Sequence, residues 1–489
     1  MKIKYIVNDT KEKRAKADSD RAKEEQEYIT DDENELVARL NERAAVVLKG
    51  GKTFVMLNAP GQVLFLSSAE AKLMLAAYKL LLDPGDPHKP LKFLDGFSVW
   101  VKHPLRRTYN NVLFAPPPGE VYGDEYNLWQ GWNARPVKGD CSLYLDHVRN
   151  NICQGDNAAF RYFMGWQAQL IQQPGIKSGV CVVIRGAMGT GKSIVSNYLG
   201  EIVGSEYSPV IDTPELLTGR FNGQAETALL FRVEEGFFAD DPSSHSRLKH
   251  LITSSEIMIE KKNMQPYMAK NYSRVLMTTN SEKAVPAAAG ERRMFVLECG
   301  DARKQDREYF SAMAKQMENG GLNALFYELE HWDYSDIDFT RPLITSGLVD
   351  QVRRSFTPEE KWLETVLTEG RFPFLRESPS TQYALEWADQ GQLIAEKDLV
   401  LASYRDFVPG FRSPPSAQQM GSFIAKQMPG VESRRYGSDG NRVRVFVFPQ
   451  LRELRAAFEK ARPGYKFARD EDASGGASVV PFQRPLRRL

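Results

Sequence analysis

An α/β fold with a parallel-sheet core is predicted by three observations. The first is the loop Gly186-Ala187-Met188-Gly189-Thr190-Gly191-Lys192-Ser193. The second is its setting. An apolar, β-branched run, Val180-Cys181-Val182-Val183-Ile184, leads into it, and a helical pattern over residues 194–203, stopped by Gly204, leaves it. The third is a pair of buried-strand patterns downstream, residues 228–235 and 275–279, the first ending in two acids and the second running into Asn280. Strand, glycine loop and helix is the context in which G-x-x-x-x-G-K-[ST] cradles a nucleotide. Glycines let the backbone turn tightly enough to aim successive N–H groups at phosphate oxygens, and the helix N-terminus adds its positive end. Lys192 is then placed to reach the β- and γ-phosphates, and the Ser193 hydroxyl to hold Mg2+. The core is thus expected to be a P-loop NTPase using ATP and Mg2+.

A length of 489 residues predicts roughly three domains. Hydrophobic residues make up 42% and charged residues 26%, as in a soluble globular protein, and the net charge is +1. Near-neutrality provides no global pull on nucleic acid, so any such contact has to come from local basic clusters. The four cysteines (Cys141, Cys153, Cys181, Cys299) form no C-x-x-C pair, which argues against a zinc ribbon or a disulfide framework and fits a reducing cytoplasm. The histidines are scattered and carry no metal-site spacing. No apolar run approaches the roughly 18 residues that span a bilayer, so no membrane contact is expected.

In chain order, residues 1–34 read as a disordered charged tail, from Lys11-Glu12-Lys13-Arg14 to Asp31-Asp32-Glu33. Residues 35–138 read as an α+β region. A short helix carries Leu36, Val37 and Leu40, two apolar runs flank Gly50-Gly51 as a hairpin, and residues 68–82 repeat apolar positions at helical spacing. This stretch holds no catalytic constellation. Residues 139–177 read as a helical lead-in whose aromatics, Phe160, Phe163 and Trp166, are core rather than a base-stacking platform.

The ATPase domain is expected over residues 178–345. Glu234 and Glu235 end a strand beside the phosphate site, where one acid would hold Mg2+ through water and the other polarise the attacking water. Arg232 is awkward inside that strand. Asn280 ends the next strand, where it either orients the lytic water or simply makes a turn. Between the strands, residues 261–271 carry Lys261, Lys262 and Lys270 with amides and a tyrosine. That composition suits a hairpin gripping a nucleic-acid backbone and equally an ordinary solvated hairpin. Arg292-Arg293 enters a last strand, placed for a neighbouring subunit's γ-phosphate or for a surface salt bridge.

The phosphate loop, tandem acids, lysine hairpin, Thr278-Thr279-Asn280 and Arg293-Met294-Phe295 together resemble superfamily 3 helicases, which are AAA+-like. The helicase module of phage and plasmid primase–helicases is the nearest pattern. Its lead-in is matched by Trp129-Gln130-Gly131-Trp132, Gly139-Asp140-Cys141, Asn151-Ile152 and Trp166-Gln167-Ala168, and its body by Arg220-Phe221-Asn222 and Leu248-Lys249. The resemblance covers residues 35–345. It implies a DNA helicase that forms a hexameric ring on single-stranded DNA, with Glu235 as catalytic acid, Asn280 as sensor and Arg293 as a finger acting in trans. Glu234 stands where that family usually has aspartate. No primase or polymerase segment precedes the module, so priming is expected of a separate chain. The alternative is a nucleotide-switched initiator or helicase loader without processive unwinding.

Residues 346–465 read as a winged-helix-like domain, with helices over 393–407 and 417–428 and a two-stranded wing over 431–448. Arg434, Arg435, Arg442 and Arg444 give it a basic edge, for DNA contact or subunit docking. Residues 466–489 read as a second disordered tail.

Overall fold

The computed structural model describes residues 28–49, 51–59, 62–83, 91–213, 219, 222–234, 242–262, 265–281, 292–372, 386–388, 391–408, 415–436, 442–462 and 464–467. Its centre is a five-stranded sheet of β1 (Cys181–Arg185), β2 (Val210–Ile211), β3 (Leu230–Glu234), β4 (Arg274–Thr279) and β5 (Met294–Glu298). Their order is β2-β3-β4-β1-β5, and every neighbouring pair is parallel. Parallel strands need a cover on both faces, which is why these runs read as continuously apolar rather than alternating. The alternation appears in which core each residue enters. Cys181, Val183, Val275, Met277, Met294 and Val296 face one core, and Val182, Ile184, Leu276, Phe295 and Leu297 the other.

The second of these cores is closed by α1 (Lys192–Val203) together with helices Asn157–Gln172 and Leu322–His331. Phe160, Phe163 and Trp166 are buried there. The helical lead-in therefore shares its core with the sheet instead of forming a separate layer before it. Helices Pro242–Thr253 and Ser346–Arg354 cover the opposite face, and residues of the C-terminal part (Trp362, Leu363, Ile424, Phe448) continue that core without a break.

Arg232 finds its explanation here. Its guanidinium donates to the Ser208 carbonyl at 3.2 and 3.3 Å and to Asn197 Oδ1 at 3.2 Å. It fits only because α1 has Gly200 opposite, where a Cβ would lie 2.6 Å from the Arg232 Nε.

Four expectations for the flanking regions change. A strand at Tyr28–Thr30 and a helix Glu33–Arg43, capped by the Asp32 carboxylate, place ordered structure before residue 35. The helix expected over residues 68–82 stops at Met74, and Tyr78–Asp83 is a strand paired with Tyr28–Thr30 and Lys92–Asp95. The parallel partner, Tyr28–Thr30, is distant in sequence, so local periodicity could not report it. Likewise Leu393–Glu396 is a strand rather than a helical turn. It joins Val443–Phe448 and Glu432–Tyr436 in a three-stranded antiparallel sheet, ahead of helix Lys397–Phe407. Phe467 is buried against Phe458, so packing runs past residue 465.

In the N-terminal hairpin, Ala44–Lys49 pairs antiparallel with Lys52–Ala59. Ala44 and Val46 enter a small N-terminal core, while Ala45 and Val47 enter the core under the central sheet. At the end of this hairpin, buried Lys49 lies 2.8 Å from Glu226 Oε1 and 4.4 Å over the Phe65 ring. The same carboxylate takes Lys261 at 2.5 Å and accepts from the Tyr267 hydroxyl at 2.7 Å. Burial pushes the Glu226 carboxyl up, but Lys49, Lys261 and their hydrogen bonds outweigh it and hold the group below its ordinary range. Such a carboxylate contributes stability above the unfolded value of about 4.3 and loses it as pH falls through its own lower value. Glu226→Gln should cost about 3 kcal/mol at neutral pH by leaving Lys49 buried and uncompensated. Melting curves should bring mutant and wild type together as pH drops below about 4. An equal gap across that range would assign the loss to packing instead.

Candidate functional site

The ladder register sets four strand ends side by side. Arg185 pairs with Thr279 on one flank and Glu298 on the other, and Glu234 pairs with Thr278. The loop 186–191 leaves the end of β1 and closes onto α1. Around it lies a cleft of about 890 Å³ lined by Met188, Gly189, Gly191, Lys192, Ser193, Ile194, Glu234, Thr278, Thr279, Asn280, Gln305, Arg307 and Phe310. Lys192, Ser193, Glu234 and Asn280 are thus brought together, as the sequence spacing suggested. The Lys192 ammonium donates to the carbonyls of Gly186 (2.9 Å) and Ala187 (2.6 Å) and to Asn280 Oδ1 (2.8 Å).

The loop is also held from behind. A single π-helical turn, His147–Ile152, packs against its outer side. Asn151 Nδ2 donates to the Thr190 carbonyl at 2.8 Å, and His147 Nε2 lies 3.3 Å from the Gly191 carbonyl, so that nitrogen carries the proton. Burial holds the imidazole below its ordinary value and keeps it neutral. The backbone N–H of Gln305 takes the Gly189 carbonyl at 2.9 Å. An anion-binding loop has to turn its carbonyls away from the anion. Here three successive ones, those of Gly189, Thr190 and Gly191, are already taken by protein donors. Gly191 has φ +89°, and a Cβ there would lie 2.6 Å from the Phe310 ring and 2.7 Å from His147, so only glycine fits.

The remaining sequence-predicted residues are distributed as follows. Glu235 lies outside the described residues, as do Arg220 and Phe221. Arg293 directly precedes Met294, which pairs with Cys181, and its carbonyl accepts from Cys181 N at 2.8 Å. It therefore sits at the amino end of the sheet, a strand length of about 16 Å from the loop of its own chain. The lysine stretch forms an antiparallel hairpin, Glu256–Ile259 with Tyr267–Lys270. Lys262 and Lys270 are exposed on it. Lys261 is not part of that exposed set, because its ammonium turns inward to the buried Glu226 carboxylate. Asn222 secures the hairpin close to its turn, donating to the Met258 carbonyl and accepting from Glu260 N.

Sequence reasoning missed His147, Gln305, Arg307 and Phe310. Asn151 entered only through the Asn-Ile dipeptide of the resemblance. None carries a local signal: His147, Asn151, Gln305 and Phe310 act through contacts more than 35 residues away, and Arg307 only lines the cleft. Among the described residues, no group of three or more His, Cys, Asp or Glu side chains converges as a metal cage. None of the helices described is long and apolar enough to cross a membrane.

With that geometry in view, three comparisons bear on the chain. A family of unknown function, DUF5906, matches residues 184–293, which holds the loop, the acids and the hairpin. The DNA primase-polymerase of Nitratiruptor phage NrS-1 is 28% identical over 175 residues, which is 35% of this chain. That match spans 24% of the phage protein's length. The apo structure of the NrS-1 C-terminal region superposes with a TM-score of 0.63 at 17% identity, covering 84% of this chain and 98% of that one. Its A-form apo structure gives 0.62 at 17% identity. The chain is thus homologous to part of a phage primase-polymerase and shares the mixed α/β fold of that protein's C-terminal region.

The clamp behind the loop can be tested directly. Asn151→Ala leaves the Thr190 carbonyl buried without its amide donor and should lower stability by about 1–3 kcal/mol. Urea denaturation of the two proteins measures this, and an unchanged midpoint would remove Asn151 from the loop's support.

Proposed function

We propose that this chain is an ATP-driven DNA helicase of the superfamily 3 type, working in phage or prophage replication and translocating on single-stranded DNA as a hexameric ring. The observation that carries this reading is the meeting of Lys192, Ser193, Glu234 and Asn280 around one cleft at the carboxyl ends of β1, β3 and β4. Open α/β sheets bind ligands at that edge. The homologous phage enzyme supports the replication setting, and the bacterial cytoplasm is the proposed place of action.

The donor set fits ATP and Mg2+. Lys192 holds its ammonium against two loop carbonyls and Asn280, where phosphate oxygens can replace them. Ser193 and Glu234 face the same cleft and would hold Mg2+, with phosphate and water completing its oxygens. When bound, the ion neutralises charge on the transferring phosphoryl group. Asn280 would orient the attacking water, and Glu235, next after Glu234, would take its proton. Arg293 is too far from its own loop to serve it, which favours action across a subunit interface. The C-terminal part is read as a winged helix. Its order of helix, strand, two helices and two further strands supports that reading.

Lys192→Ala should abolish ATP hydrolysis, since removing charge stabilisation of the phosphoryl group costs on the order of 10²-fold or more. Arg293→Ala should be as inactive alone, yet mixing the two variants should restore turnover, because each supplies the half-site the other lacks. Mixtures that assemble but stay inactive would place Arg293 in a structural role.

For DNA, Lys262 and Lys270 are the proposed grip, with Lys261 now assigned to the Glu226 cluster. The Lys262→Ala/Lys270→Ala pair should reduce the salt slope of single-strand binding by roughly 1.4 units, without changing sequence preference. Basal ATPase should survive while DNA stimulation and fork unwinding fall. Undiminished unwinding would take the grip away from this hairpin, and a wild type that hydrolyses ATP without unwinding would favour the initiator or loader reading.

A further inference from the structure

The geometry points to a nucleobase subsite formed by the segment after β5, with Phe310 as its stacking surface and Arg307 as a second, charged contact to the same nucleotide. This rests on the ATP reading above and adds to it the wall that takes the base.

The cleft does not end at the phosphate loop. It continues to Gln305, Arg307 and Phe310, on the turn and helix (Arg307–Gln316) that follow β5. Three features tie this wall to the loop. Gln305 donates its backbone N–H to the Gly189 carbonyl and adopts φ +60°, a left-handed conformation that non-glycine residues seldom take and that concentrates at functional sites. Phe310 packs its ring edge on Gly191, at the point where the loop becomes α1. Behind Phe310, the rings of His147 and Tyr309 lie 5.7 and 5.4 Å away, and Arg303 covers Tyr309 at 4.3 Å. The aromatic wall and the phosphate loop therefore form one unit, with His147 bonded to the loop and packed on the wall.

Phe310 is only half-buried, an apolar surface open to a polar cleft. An aromatic face in that position offers a base the stacking contact that every nucleobase can use. Arg307 lines the same cleft one helical turn earlier, at i and i+3 spacing. Its guanidinium places positive charge on the cleft wall for an anionic ligand, in a first turn whose dipole the Asp306 cap and Glu308 already complement. The two side chains thus divide the ligand. Phe310 would contact the base alone, and Arg307 the triphosphate.

The experiment is equilibrium binding of a non-hydrolysable ATP analogue and of inorganic tripolyphosphate, both with Mg2+, to the full chain. Phe310→Ala should weaken the ATP analogue roughly tenfold and leave tripolyphosphate within about twofold. Phe310→Trp should restore the analogue, and unliganded melting curves check that the wall still folds. Arg307→Ala should weaken both ligands alike. Analogue affinity unchanged in Phe310→Ala would overturn the base assignment, as would equal losses for both ligands in a variant that melts normally. A wild type that binds neither ligand would instead overturn the nucleotide reading itself, so the two failures are distinguishable.

Discussion

The hydrogen-bond ladder of the parallel sheet is the constraint on which the rest of the molecule depends. Register between β1 and its two neighbours places Arg185, Thr279 and Glu298 level, and the β3–β4 register brings Glu234 beside Thr278. A shift of one residue would exchange the two faces of a strand and withdraw its last side chain from the cleft. The same ladder separates what should not meet. Arg274 and Arg293 stand at the amino ends, and Arg274 is wholly buried, donating to the backbone carbonyls of Gln173 and Ile176. That end is a structural node, while the carboxyl end keeps its polar groups open to the cleft.

Burial on both faces of the sheet also decides how the chain is divided. Helices before the phosphate loop and helices after β5 close one core, and the C-terminal part extends the other. The N-terminal hairpin contributes alternate residues to two cores, and its terminal Lys49 reaches the Glu226 carboxylate. Glu226 in turn holds Lys261 and Tyr267 of the lysine hairpin. A buried carboxylate facing two ammonium groups ties together three segments far apart in sequence. Moving any one of them would uncover charge in a low-dielectric site, so the cluster pins the turn end of the hairpin, while Lys262 and Lys270 stay exposed.

The phosphate loop combines a strained path with support from outside. Glycine at 191 allows the left-handed turn, and the π-helical turn supplies the amide and imidazole that occupy its carbonyls. Single π-helical turns recur at functional positions, since the extra residue redirects side chains that a regular helix would stack. In this fold the redirection aims His147 and Asn151 at the same loop, one turn apart. Lys192 is buried, and its ammonium is held in the cleft against the Gly186 and Ala187 carbonyls and Asn280 Oδ1.

By itself the sequence determined the strand–loop–helix unit, the apolar strands on either side of the lysine hairpin, and the helices whose apolar faces repeat at 3.6 residues. These are local patterns, and short-range geometry is enough to write them. Lys192, Ser193, Glu234 and Asn280 were legible because each ends or follows a strand, where alignment in a parallel sheet brings residues together without further information. Tertiary structure alone decided the rest. Residues 78–83 and 393–396 became strands because their partners lie elsewhere in the chain. Arg232 was tolerated because Gly200 faces it, and Lys261 left the exposed set of the hairpin because Glu226 is buried beneath it. His147, Asn151 and Phe310 gained their places from contacts across 39 residues and more, a separation at which no spacing in the sequence carries a signal. The physical reason is the same in each case: a buried charge or an unpaired backbone group must be met by some partner, and only the folded chain determines which one is near enough.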